Sequence, residues 1–123
     1  MMTEAYGTLE QQTKWYGNKD GSILGSHLPF NFALISTLDK NSNAMDFKKA
    51  VDGWMDTKPD YGTANWVLGN HDRTRLGDRY GEARHESLAI MTMMLGGINV
   101  VYYVSILKYF IIPIFLINNF HVG

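Results

Sequence analysis

The sequence predicts an α/β protein with a parallel sheet, on three observations. Four short apolar segments, Met1–Ala5, Phe30–Ile35, Asn65–Leu68 and Asn99–Tyr103, have the length and composition of strands covered on both faces. Their starts lie roughly thirty to thirty-five residues apart, which is the spacing of βα units. Segments with helical periodicity fall between them, set off by glycine- and asparagine-rich turns. No sequence repeat accompanies this structural period. Four such units in series make half of a (β/α)8 barrel, which takes about 250 residues when whole. At 123 residues the chain has room for one domain at most.

The elements come in order. The chain opens directly on its first strand. Thr8–Tyr16 is compatible with a short helix, and Gly17-Asn18-Lys19-Asp20-Gly21 is turn-rich. After the second strand, Phe47, Ala50, Val51 and Trp54 recur at i, i+3, i+4 and i+7, giving a helix one apolar face. Ser42 or Asn43 suits its N-cap, Asp46 its first turn, and Pro59 comes just after its end. Another helix is expected over about Glu82–Leu95, stopping at Gly96-Gly97. Its later half, Leu88 to Leu95, is apolar nearly all round, as in a helix wedged between a barrel and its neighbours. Its methionines read as core packing rather than soft ligands.

Composition narrows the function classes. A chain 46% hydrophobic and 13% aromatic suits a globular core, not disorder. A net charge of −1 argues against a polyanion or membrane-surface partner. The basic residues are scattered apart from Arg73, Arg75, Arg79 and Arg84, and that cluster does not suit nucleic acid. There is no cysteine, hence no disulfide framework, and no Asn-x-Ser/Thr acceptor. His27 and His85 have no ligand partners at metal spacing, so both are expected to be ordinary surface or loop histidines. With no zinc pattern, no cofactor is expected. No charged and apolar leader begins the chain. Met1 is therefore read as an internal methionine of a longer protein, or as the start of a truncated gene product.

The chemistry concentrates in Asn65-Trp66-Val67-Leu68-Gly69-Asn70-His71-Asp72-Arg73-Thr74-Arg75. Strand-type residues end at a glycine and deliver Asn, His, Asp and Arg to a loop. The C-terminal end of a parallel strand is where α/β enzymes place chemistry. A carboxylate beside an imidazole there can grip sugar hydroxyls and hold negative charge near a developing cation. The competing interpretation of His71-Asp72 is a helix-capping Asp beside a surface His.

This run resembles the Asn-His-Asp motif of the α-amylase superfamily of glycoside hydrolases, most closely in insect-type maltases (α-glucosidases). Three further segments carry the resemblance in the family's order and spacing. Met2-Thr3-Glu4-Ala5-Tyr6 resembles the strand bearing the general acid/base glutamate. His27-Leu28-Pro29-Phe30-Asn31-Phe32 resembles the next strand. Leu95-Gly96-Gly97-Ile98-Asn99-Val100-Val101-Tyr102-Tyr103 resembles the last barrel strand, with Gly97 where the family usually has proline. The resemblance covers about residues 1–103 and implies the C-terminal half of a catalytic barrel, about strands five to eight. Residues 104–123 form a hydrophobic tail outside it.

The resemblance also implies roles. Glu4 matches the general acid/base, and Asp72 the carboxylate that stabilises the transition state by holding two ring hydroxyls. His71 would donate to a neighbouring hydroxyl. Arg75 matches the arginine of the Asp-x-x-Arg continuation and either orders the loop or touches substrate. Arg73 and Arg79 are expected to be solvated. A general acid must hold its proton near neutral pH, which takes a suitable enclosing environment. Retaining glycosidases also need a nucleophilic carboxylate about 5–5.5 Å from the acid/base. In the family it lies on the fourth strand, so the 123-residue chain is expected to be inactive alone. The implied substrates of the full-length parent are α-glucosides such as maltose or sucrose, and the implied setting is secreted or membrane-attached and extracellular. No calcium is implied for the maltase branch.

A second class remains open. The heavy subunit of amino-acid transporters has an ectodomain similar to the same maltases and serves as a non-catalytic partner. The tail invites its own interpretation. Val104-Ser105 can be encoded by a splice-donor consensus, and residues 106–123 are rich in Phe, Ile, Asn, Lys and Tyr. Read-through of non-coding sequence is expected there. A membrane anchor over Val100–Ile117 is the rival, but Lys108 and Pro113 interrupt a run already short of about 20 apolar residues.

Overall fold

A computed structural model describes residues 1–102. The expectations for Tyr103 and for the tail from Val104 lie outside the described residues. Strands β1 (Met2–Thr3) and β2 (Leu28–Pro29) pair in parallel, with Met2 opposite Leu28 and Thr3 opposite Pro29. Strands β3 (Asn65–Val67) and β4 (Ile98–Val100) form a second parallel pair, with Trp66 opposite Asn99. The expected α/β class with parallel strands is what the chain adopts.

No backbone ladder joins β2 to β3 among the described residues. One side chain does the joining. The Asn65 amide donates from Nδ2 to the Pro29 carbonyl at 2.7 Å and accepts at Oδ1 from the Asn31 N–H at 2.8 Å. Asn65 and Asn31 are both fully buried. A polar residue is tolerated at such depth because it satisfies backbone groups that water cannot reach.

The second strand differs from expectation. Phe30–Ile35 is not extended. The strand ends at Pro29, and Ala33–Thr37 is a short helix, α2. Asn31 makes the difference, because its Oδ1 accepts the Ala33 N–H at 3.0 Å and turns the chain. A short apolar run cannot distinguish a buried strand from a buried helix by periodicity alone.

The expected helices are present. Helix α1 (Leu9–Thr13) carries a capping box between Thr8 and Gln11, and a 3-10 turn over Lys14–Tyr16 continues it. Helix α3 (Ala44–Thr57) is capped by Asn43, whose Oδ1 accepts from the Met45 N–H, while Asp46 Oδ2 accepts the Asn43 N–H at 2.8 Å. Its apolar face is the predicted one: Phe47 and Trp54 are buried, with Ala50 and Val51 packed beside them. They meet Tyr16, Leu34, Trp66 and Tyr80 in the main core.

A third short helix, α4 (Leu76–Tyr80), carries no sequence signal of its own. Five residues are too few to show a period. It forms because Leu76 and Tyr80, four apart, both enter the core. The expected Glu82–Leu95 helix begins as a 3-10 turn over Glu82–Arg84 and continues as α5 (His85–Met94). Only one face of α5 is covered among the described residues. Leu88 and Thr92 are buried, whereas Ile90, Met93 and Met94 are exposed. None of the described helices is long and apolar enough to cross a membrane.

Gly97 makes the turn into β4 at φ +118°, where an added Cβ would lie 2.4 Å from the Ala64 carbonyl oxygen. The position that the resemblance pairs with proline thus holds a conformation proline cannot adopt.

Candidate active site

The four strands run in parallel pairs, so the loops leaving β1 and β3 open at C-terminal strand ends. The first loop carries Glu4 and Tyr6, and the second carries Gly69 to Arg75. A hydrogen bond at 2.7 Å, from Asn70 Nδ2 to the Tyr6 hydroxyl, fastens the two loops together. The Tyr6 ring stacks on Phe32 with centroids 4.4 Å apart and planes 19° from parallel. The Arg73 guanidinium sits 5.5 Å over the Tyr6 ring. The side chains two residues beyond Glu4 and one before His71 are therefore in contact, although their positions are 64 apart in sequence.

His71 and Asp72 form a pair, with Nε2 3.2 Å from Oδ1 and both side chains at least half exposed. An exposed pair of this kind contributes about 1 kcal/mol or less to stability. Both groups are therefore free to exchange their mutual contact for a ligand's hydroxyls at little cost. Glu4 is also exposed. The enclosure that a general acid needs is not provided by residues 1–102. Arg75 is exposed and lies 5.3 Å over the Tyr102 ring, at the end of β4. The Tyr6–Asn70 contact thus brings the loop that bears Glu4 beside the loop that bears His71 and Asp72, and Arg75 lies toward the end of β4.

Two expectations are overturned. Arg79 is not a solvated residue. Its Nη1 donates to the Leu68 carbonyl at 2.9 Å, and its Nη2 to the Ile35 carbonyl at 2.9 Å and the Tyr80 hydroxyl at 2.8 Å. A partly buried arginine side chain has the reach and the donors to serve several orphan carbonyls, and sequence spacing does not show this. His85 is not a surface histidine either. It is 6% exposed at the start of α5, where the turn from Gly81 directs it inward. His27 is exposed, as expected.

Sequence reasoning passed over Tyr6, Asn70 and Tyr102 as organisers of the site. Tyr6 and Asn70 were legible only as neighbours of the carboxylates, and no local pattern signals a contact across so many positions. An apolar cavity of about 410 Å³ lies between α5 and β4, lined by Leu76, Ile90, Met93 and Tyr102 among others. It contains neither Glu4 nor His71-Asp72. No group of three or more His, Cys, Asp or Glu side chains suited to a metal occurs among the described residues.

Comparison with known proteins bears on this geometry. The model of the alpha-amylase catalytic domain matches residues 1–106. The chain is 43% identical over 103 residues to the alpha-glucosidase of Apis mellifera, covering 84% of this chain and 17% of that protein. It is 41% identical over 103 residues to maltase 1 of Drosophila virilis, covering 84% and 16% respectively. A more distant similarity, 27% over 106 residues, reaches the human amino acid transporter heavy chain, covering 84% of this chain and 15% of that one. The chain spans about a sixth of the length of the curated relatives it matches. With a family match over most of its length and the Asn-His-Asp run at a C-terminal strand end, the chain belongs to the alpha-amylase catalytic-domain family.

Proposed function

We propose that this chain supplies one side of a retaining α-glucosidase site, corresponding to about strands five to eight of the barrel. The substrates are sugars with terminal α-linked glucose, such as maltose or sucrose. Glu4 is the general acid that protonates the glycosidic oxygen as the bond to the leaving group breaks. It then takes a proton from the water that releases the glucose. Asp72 accepts hydrogen bonds from ring hydroxyls, and these tighten as the ring flattens toward an oxocarbenium ion. His71 donates to a neighbouring hydroxyl, and Arg75 borders the site. The nucleophilic carboxylate comes from outside these 123 residues, so the polypeptide alone is expected not to turn over.

The observation that carries this reading is the Asn70–Tyr6 hydrogen bond, which draws the Glu4 loop and the His71-Asp72 loop together at the strand ends. The test is a chimera in which residues 1–103 replace the matching 103 residues of the Apis mellifera alpha-glucosidase. The chimera should hydrolyse a chromogenic α-glucoside. Glu4→Gln should abolish that turnover, and Asp72→Asn should lower kcat far more than it raises KM. A folded chimera that binds the glucoside but does not hydrolyse it would refute the catalytic reading. The 27% similarity to the transporter heavy chain supports a non-catalytic partner role as the second reading, and that outcome would favour it.

A further inference from the structure

We infer that Arg79 is a positioning residue that sets the point from which the His71-Asp72 loop leaves the sheet. Leu68 is the last residue before Gly69-Asn70-His71-Asp72, and its carbonyl accepts from Arg79 Nη1. The second guanidinium nitrogen holds the Ile35 carbonyl in α2. Helix α2 has only five residues, so its last carbonyls find no donor within the helix. Arg79 and the Tyr80 hydroxyl, which donates to the Leu34 carbonyl, supply those donors from α4. One planar fork thereby locks the end of β3, the end of α2 and the body of α4 into a single unit.

The choice of residue is informative. The guanidinium is half-buried, lies 4.7 Å over the Tyr80 ring, and has no carboxylate partner among the described ion pairs. Keeping a cation there on carbonyls and one aromatic face costs desolvation that an apolar side chain would avoid. What an apolar side chain cannot do is hold two carbonyls at a fixed separation, and a lysine, with its point charge, does so poorly. The loop is then pinned twice: Arg79 holds Leu68, and Tyr6 holds Asn70. His71 and Asp72 project just beyond the second pin. The significance of this placement rests on the proposed α-glucosidase site, but the placement itself does not.

Amide hydrogen exchange on the 123-residue chain tests it without any sugar. With Arg79→Lys or Arg79→Met, the amides of Gly69 to Asp72 should exchange about tenfold faster or more, the scale of one lost charge-assisted hydrogen bond. The amides of Phe47 to Trp54 in α3 should change much less. The His71 imidazole resonances should move toward those of an unstructured histidine in both variants. Restoration of native exchange by Arg79→Lys would overturn the proposal, because charge alone would then suffice. Equal acceleration in the loop and in α3 would overturn it too, by reducing Arg79 to global stability. Where an Arg79 variant does not fold, Tyr80→Phe removes one partner of the fork and keeps the ring. A smaller acceleration of the same loop amides is expected there, and none would refute the assignment. A silent chimera with this exchange pattern intact would refute the proposed catalysis and leave Arg79's role standing.

Discussion

Replacing Asn65 by leucine should be among the most damaging single changes in the chain. The two side chains share one branching pattern, so no cavity opens, although leucine's bulkier methyls add some overpacking to the cost. The loss lies in the amide, which satisfies the Pro29 carbonyl and the Asn31 N–H between two strands that share no backbone ladder. Asn65 and Asn31 are 0% exposed, so water does not take over. Each buried backbone group left without a partner costs about 1–3 kcal/mol, which gives about 2–6 kcal/mol in total. With a urea dependence of about 1–3 kcal/mol per molar, the midpoint should fall by about 2 M. Trp54 and Trp66 are both buried and report the transition by fluorescence in dilute solution.

Asn65→Asp separates hydrogen bonding from shape. The introduced carboxyl keeps the acceptor for the Asn31 N–H and can donate to the Pro29 carbonyl only when protonated. Burial raises its folded-state pKa above the unfolded value. Its stability is therefore fully present below the unfolded value of about 3.9 and lost as pH rises through the folded value. The variant should approach the parent's stability in acid and fall well below it at neutral pH. A leucine variant costing under about 1 kcal/mol would refute the amide's bridging role. So would an aspartate variant whose stability tracks the parent at every pH.

Three further outcomes attach to particular residues. Gly97→Ala should lower the thermal midpoint sharply, because φ is +118° and the new Cβ meets the Ala64 carbonyl; a calorimetric scan reads it, with about 2 kcal/mol or more expected. Asn43→Ala should cost about 1 kcal/mol in urea unfolding by removing the cap of α3, and Asn43→Gly only a few tenths. Burial pushes the Tyr80 phenol above its ordinary 10.0, against the lowering effect of Arg79, and burial also raises Tyr16. Such raised phenols contribute stability that is complete below pH 10.0 and is lost as pH climbs through their folded values, so Tyr80→Phe should flatten the alkaline limb of a pH–stability curve.

Local chemistry was the most legible part of this chain. The capping of α3, its apolar face and the start of β3 at Asn65 arise from patterns only a few residues long, which is the range over which capping and periodicity act; β4, expected over Asn99–Tyr103, instead spans Ile98–Val100. His71 and Asp72 were singled out because a polar run directly follows a strand, and Glu4 only through the family resemblance of its Thr-Glu-Ala-Tyr context. What escaped depends on partners far away in sequence. Asn31 bends the chain through its own side chain inside an apolar run, so α2 was mistaken for strand. Helix α4 exists because the core accepts Leu76 and Tyr80. Arg79 and His85 looked solvated because nothing near them in sequence reveals orphan carbonyls or an inward turn. The apolar periphery of α5 was legible as composition, but the described residues cover only one face of it.

The Tyr6–Asn70 contact also bears on the order of events in folding. It closes a loop of 64 positions, against 36 for the Asn65–Pro29 bond. Chain-closure entropy grows only slowly, by about 0.6 kcal/mol for each doubling, so the wider loop is scarcely harder to stabilise. It is, however, a contact that rewards the chain only after β1, β2 and β3 are in place. Loosening it by Tyr6→Phe should therefore quicken unfolding and leave the refolding rate nearly untouched. The rim formed by the loops after β1 and β3 would then be the last part of the described structure to assemble and the first to come apart.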